Sequence, residues 1–153
     1  RVSNVYGELQ KSNLGQGIVS TLIYNLLNKK ETTIFFKGIE LRDYLYIDDL
    51  CAALFCLTKG NFIENISIYN VSFGHSISTS SMLEIILTNF RRASIPIDTR
   101  LIKFTNSSFG TSPLNSVVNS SKFRSEFNWK PKVDLSEGIM KIINYFNGNY
   151  NVY

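Results

Sequence analysis

Gly38-Ile39-Glu40-Leu41-Arg42-Asp43-Tyr44-Leu45-Tyr46-Ile47-Asp48-Asp49-Leu50 is the stretch on which the reading of this chain turns. Residues 41–47 alternate as a β-strand does, so Arg42, Tyr44 and Tyr46 project to one face and Asp43, Leu45 and Ile47 to the other. Arg42 and Asp43 are therefore not placed to pair across the pleat. The pattern then becomes helical over residues 49–57, with Leu50, Ala53, Leu54 and Leu57 at spacings of three and four. Asp48 and Asp49 stand at the opening of that helix, where a carboxylate can cap free amides and complement the helix dipole. Arg42 has two readings. It can hold a surface carboxylate, or it can offer its planar fork of donors to a phosphate, which it fits bidentately. The strand alone favours the carboxylate, because strand arginines are common and a phosphate site needs several converging donors.

On both sides of this stretch strands and helices alternate. Residues 1–5 read as a strand end, 17–27 as a helix and 33–36 as a strand; further on, 66–71 read as a strand and 81–90 as a helix with a Ser81-x-x-Glu84 capping pattern. Residues 97–104 read as a strand, and helices are expected near 120–127 and 135–146. Such alternation indicates an α/β protein. Residues 105–115, rich in Ser, Asn and Thr with Gly110 and Pro113, have no period and read as a loop; no internal repeat is present.

A chain of 153 residues with 44% apolar content can bury a core and is not disordered in composition. The net charge of +4 is scattered, with Lys29-Lys30 and Arg91-Arg92 the only basic pairs, so nucleic acid is not the expected partner. Cys51 and Cys56 lie five apart on one expected helix and face different ways, and His75 is the single histidine, which leaves no zinc-like spacing. Free, reduced thiols in a cytoplasmic protein are expected. No leader or spanning apolar run is seen, so no membrane association is expected either.

Four segments, in this order, carry a resemblance. Arg1-Val2-Ser3-Asn4-Val5-Tyr6-Gly7 comes first and the Arg42-Asp43-Tyr44 segment second. Ile68-Tyr69-Asn70-Val71 with Gly74 is the third; the last is Ser121-Lys122, Phe127-Asn128-Trp129-Lys130-Pro131 and Leu135-Ser136-Glu137-Gly138-Ile139. Together they resemble the C-terminal half of the extended short-chain dehydrogenase/reductases, the NAD-dependent sugar-nucleotide epimerase/dehydratase family, in its UDP-glucose 4-epimerase-like form. The resemblance implies the C-terminal part of a Rossmann-type enzyme, mainly its small substrate-binding domain plus a returning strand and helix of the dinucleotide domain. Residues 1–153 would be the sugar-nucleotide-binding portion of a longer two-domain enzyme, cut within a motif at Arg1, and 41–58 would pack with the missing dinucleotide-binding domain.

The family's chemistry is hydride transfer between sugar and NAD, with a tyrosine base and a lysine four residues later. No tyrosine here has a lysine at that spacing. Gly15-Gln16-Gly17-Ile18-Val19-Ser20 approaches a dinucleotide fingerprint but follows no buried strand, and reads as a helix-entry loop. No catalytic residue and no NAD affinity are thus expected of this chain alone. Motif by motif, the resemblance implies substrate roles for Asn4, Arg42, Ser78 and Thr79, with Arg42 on the diphosphate, and passes the main chain of Val2 beside the nicotinamide. Each has a plainer use: Asn4 can cap a turn and Ser78 or Thr79 a helix. Asn70 is read as ordering a turn and His75 as a loop residue. Two departures stand out. Phe109-Gly110-Thr111-Ser112 replaces an Arg-Pro-Gly-Asp element, and Asn119 replaces an acid before Ser121-Lys122. The implied enzyme is a nucleoside-diphosphate-sugar 4-epimerase in polysaccharide precursor synthesis, a homodimer when complete. Half of a 4,6-dehydratase or decarboxylase, or a non-catalytic sugar-nucleotide-binding or assembly module, is the alternative.

Overall fold

The computed structural model describes residues 1–10, 17–34, 40–60, 67–105 and 115–148. Its elements run β1 (Asn4–Tyr6), α1 (Ile18–Leu27), β2 (Thr32–Ile34), β3 (Leu41–Tyr46), α2 (Ile47–Thr58), β4 (Ser76–Ser78), α3 (Thr79–Arg92), β5 (Ile102–Phe104), β6 (Asn115–Ser116), α4 (Ser121–Phe127) and α5 (Leu135–Gly148). β3 is the axis of the larger, mixed sheet. Its second half pairs in parallel with β1, Asn4 opposite Tyr44 and Tyr6 opposite Tyr46. Its first half takes β4 antiparallel, with Arg42 opposite Ile77, and β6 parallel, with Arg42 opposite Ser116. β2 and β5 form a separate parallel pair. The α/β expectation holds.

Asp43 to Tyr46 are all buried, so both faces of β3 are covered, as in sheets with helices on each side. On the face of Tyr44 and Tyr46 the main core gathers Tyr6, Leu22 and Ile23 of α1, Met82, Ile86 and Phe90 of α3, and Ile139 and Ile142 of α5. Each such side chain taken out of water contributes about 1.5–3 kcal/mol. The face of Leu45 carries a smaller cluster with Ala53, Val71, Phe123 and Trp129. At Gly138 a Cβ would fall on the Tyr6 hydroxyl and lie 2.8 Å from its Cζ and 2.9 Å from Tyr46 Cδ2, so α5 meets β1 and β3 only through a residue without one.

Several sequence expectations are corrected. β3 runs directly into α2 at Ile47, which leaves Asp48 and Asp49 in the first turn rather than at the cap, a role that falls to Tyr46 without any side-chain bond. Asp49 is buried and accepts from the amides of Lys132 (2.9 Å) and Val133 (3.0 Å), tying the segment before α5 to α2. Asp48 instead lies 3.7 Å from Lys141. α3 begins one half-turn before the Ser81-x-x-Glu84 pattern, because Ser78 Oγ accepts from the Ser81 amide at 3.0 Å and closes the end first. Of 66–71, the described residues contribute a single bridge, Val71 to Val2. The strand expected over 97–104 shrinks to β5 behind a 3-10 turn at Thr99–Leu101, closed by Asp98 accepting from the Arg100 amide. Cys51 and Cys56 are free thiols.

Candidate functional site

β1 and β3 lie side by side, and the starts of α1 and α3 close over their shared face. Between them is a cavity of about 320 Å³, lined by Asn4, Val5 and Tyr6 of β1, Arg42 and Tyr44 of β3, Thr79 of α3, Gly17, Ile18 and Val19 at the start of α1, and Gln10. Two helix N-termini therefore border the cavity, and neither carries an acidic residue in its first turn. The partial positive charge of these two helix ends adds to the Arg42 guanidinium, a setting that favours an anion.

The residues singled out by sequence fall unevenly around it. Asn4, Arg42 and Thr79 all line the cavity. The Asn4 side-chain amide donates to the Asp43 carbonyl at 3.0 Å, and Arg42 Nη1 donates to the Leu41 carbonyl at 2.9 Å, so both side chains are oriented by the strand backbone. Thr79 is buried and its amide donates to the Glu40 carbonyl at 3.2 Å. Ser78 caps α3 and does not line the cavity. Val2 is exposed and bridged to Val71, outside this cavity. Asn70 donates to the Asn119 carbonyl at 3.0 Å, and Asn119 Oδ1 accepts from the Ser121 amide at 2.8 Å, so both order backbone. Phe109-Gly110-Thr111-Ser112 lies outside the described residues.

Behind the cavity, Asp43 points to the opposite face and is fully buried. Its carboxylate accepts from the amides of Phe73 (3.0 Å) and Gly74 (2.8 Å), and Arg124 on α4 donates to the carbonyls of Ser72 (3.2 Å) and Phe73 (2.7 Å). The turn that leads into β4 is thus gripped from two sides, which fixes β4 against the strand that bears Arg42. Burial pushes the Tyr44 phenol up to about 12, with Arg42 pulling the other way. Burial also raises Tyr6 and Tyr46, the latter helped by its hydrogen bond to Glu8.

Sequence reasoning missed Tyr44, Gln10 and the start of α1. Tyr44 carried a signal, since it shares a strand face with Arg42. Gln10 carried none, because the fold alone brings it under Gly17. Among the described residues no group of His, Cys, Asp and Glu is arranged to hold a metal, and no helix is long and apolar enough to cross a membrane.

Residues 1–72 match the model of the NAD dependent epimerase/dehydratase family. Residues 1–72 belong to that family. Similarity to its relatives continues over the rest of the chain. The dTDP-4-dehydro-6-deoxyglucose reductase of Escherichia coli is 28% identical over 143 residues, 94% of this chain and 42% of that protein. The crystal structure of the Thermotoga maritima UDP-glucose 4-epimerase with UDP-glucose superposes with a TM-score of 0.81 at 24% identity, over 98% of this chain and 45% of that one. The Bacillus anthracis dTDP-glucose 4,6-dehydratase in complex with NAD gives a TM-score of 0.79 at 23% identity, over 100% of this chain and 45% of that one. The fold is that of the C-terminal part of these Rossmann-type enzymes, and the chain spans less than half the length of each.

Proposed function

We propose that this chain is the sugar-nucleotide-binding half of an NAD-dependent nucleoside-diphosphate-sugar epimerase of the 4-epimerase type, inactive by itself. The observation that carries the reading is the convergence of Arg42, Asn4 and Thr79 on one cavity bordered by two helix N-termini. In this reading Arg42 clamps the diphosphate, Asn4 hydrogen-bonds near it, and Thr79 contributes from the start of α3, while Ser78 keeps that helix capped. The complete enzyme would act as a cytoplasmic homodimer.

NAD would supply the hydride acceptor and donor, but the residues present do not fit it. Gly15 and Gln16 lie outside the described residues; at Gly17 the space a side chain would take is filled by the carboxamide of Gln10, so Gly17 does not offer the close backbone approach that a pyrophosphate needs. NAD and the reacting pair are therefore assigned to the other half, which residues 41–58 would pack against. In support, α2 is apolar along most of its length yet exposes Leu54 (52%) and Phe55 (60%). The similar proteins include a reductase, an epimerase and a dehydratase, and half of a 4,6-dehydratase is the second reading.

Calorimetric titration of the chain with UDP-glucose, dTDP-glucose and NAD tests the proposal. Saturable binding of at least one nucleotide sugar and none of NAD is expected. Saturable NAD binding, or no affinity for either sugar nucleotide, would contradict it.

A further inference from the structure

Three tyrosines meet in the core beneath the cavity, and two of them direct their hydroxyls into protein. Tyr6 donates to the Asp134 carbonyl at 3.4 Å and Tyr46 to Glu8. Tyr44 differs. Its ring is held in the core, 9% exposed and edge-on to Tyr6 with centroids 6.3 Å apart. Its hydroxyl makes no hydrogen bond with any described residue, and it is not among the polar atoms sealed off without a partner. The hydroxyl therefore reaches an opening.

Tyr44 borders two openings, the 320 Å³ cavity and a smaller one of about 270 Å³ beside His75 and Asp134. The charges around it distinguish them. The larger is lined by Arg42 as well as by Tyr44, the smaller by Asp134. Arg42 also lies two residues away on the same strand face, so guanidinium and hydroxyl project into the same cavity.

We propose that the Tyr44 hydroxyl is a ligand-contact group that donates a hydrogen bond to the diphosphate, beside the oxygens held by Arg42. This rests on the reading of the cavity as a sugar-nucleotide site. A phenol suits the position because it is a neutral, directional donor on a ring that the core already immobilises, so binding orders little that is not ordered beforehand. Burial keeps it protonated, hence a donor, throughout the neutral range.

The test compares the chain with its Tyr44→Phe and Arg42→Ala variants by calorimetry, using UDP-glucose, dTDP-glucose and the corresponding nucleoside diphosphates, with thermal unfolding of each variant. Phe retains the ring and its contact with Tyr6, so the expected result is an unchanged unfolding midpoint. Affinity should fall about ten-fold, alike for the sugar nucleotide and the free diphosphate, as for one lost hydrogen bond to a charged acceptor. A loss confined to the sugar nucleotide would move the hydroxyl to the sugar and overturn the assignment. A destabilised Phe variant would mean a structural hydroxyl, and that too would overturn it. Unchanged affinity in Tyr44→Phe alongside a loss in Arg42→Ala would overturn this inference and leave the cavity reading standing. If the parent chain binds none of the ligands, both fall.

Discussion

Asp43 and Asp49 show how much a single side chain does in this fold. Each is a buried carboxylate that spends its two oxygens on two consecutive backbone amides from a distant segment. An ionised acceptor makes stronger bonds than a neutral one, and its removal leaves two amides without a partner. Asp49→Ala should therefore destabilise the chain by roughly 2–4 kcal/mol, and Asp49→Asn, which keeps one acceptor, by less. Urea unfolding midpoints read this directly, and a change below about 1 kcal/mol for the alanine variant would show that Asp49 is only an exposed-type dipole partner. Sequence alone could place Asp49 at a helix start but not identify its partners, since Lys132 and Val133 lie more than eighty residues away. Arg42 was legible for the opposite reason: its face follows from the period of its own strand.

At the scale of elements, the long periodic pieces were legible and the short polar ones were not. α1, α2, α3 and α5 appear where their apolar spacing put them, within a residue or two. β4, with the sequence Ser76-Ile77-Ser78, has too little pattern to declare itself and exists because β3 offers an edge and Asp43 and Arg124 fix the preceding turn. The packing of α5 on the sheet turns on Gly138. Gly138→Ala should cost roughly 1–3 kcal/mol, because the new methyl must displace Tyr6 or Tyr46. Replacing Tyr6 by Phe in that background removes the nearest atom, so part of the loss should return. Full additivity of the two substitutions in thermal or urea unfolding would contradict this contact.

At the scale of the whole molecule, the chain spans about 45% of the solved structures it resembles, and its exposed apolar residues include Leu9, Leu54, Phe55 and Ile68. The four ordered motifs made the family legible in the sequence. The cavity was only partly legible, because it is assembled from elements whose approach no local pattern records. Its walls include Gln10 and the start of α1, whose approach to β1 and β3 neither periodicity nor motif records. Arg42 is the point on which the functional reading rests. A fork of charge-assisted bonds to a diphosphate is worth about 1.5–3 kcal/mol per contact, whereas an exposed ion pair contributes at most about 1 kcal/mol to stability and nothing to a ligand. The most direct measurement is therefore the dissociation constant of the nucleotide sugar for the parent chain, Arg42→Ala and Arg42→Lys, with unfolding midpoints alongside. The expected result is a rise of roughly ten-fold to a hundred-fold for alanine and a partial recovery for lysine, which keeps the charge without the planar fork, at unchanged stability. Equal affinity in the parent and alanine chains would contradict the assignment of this cavity.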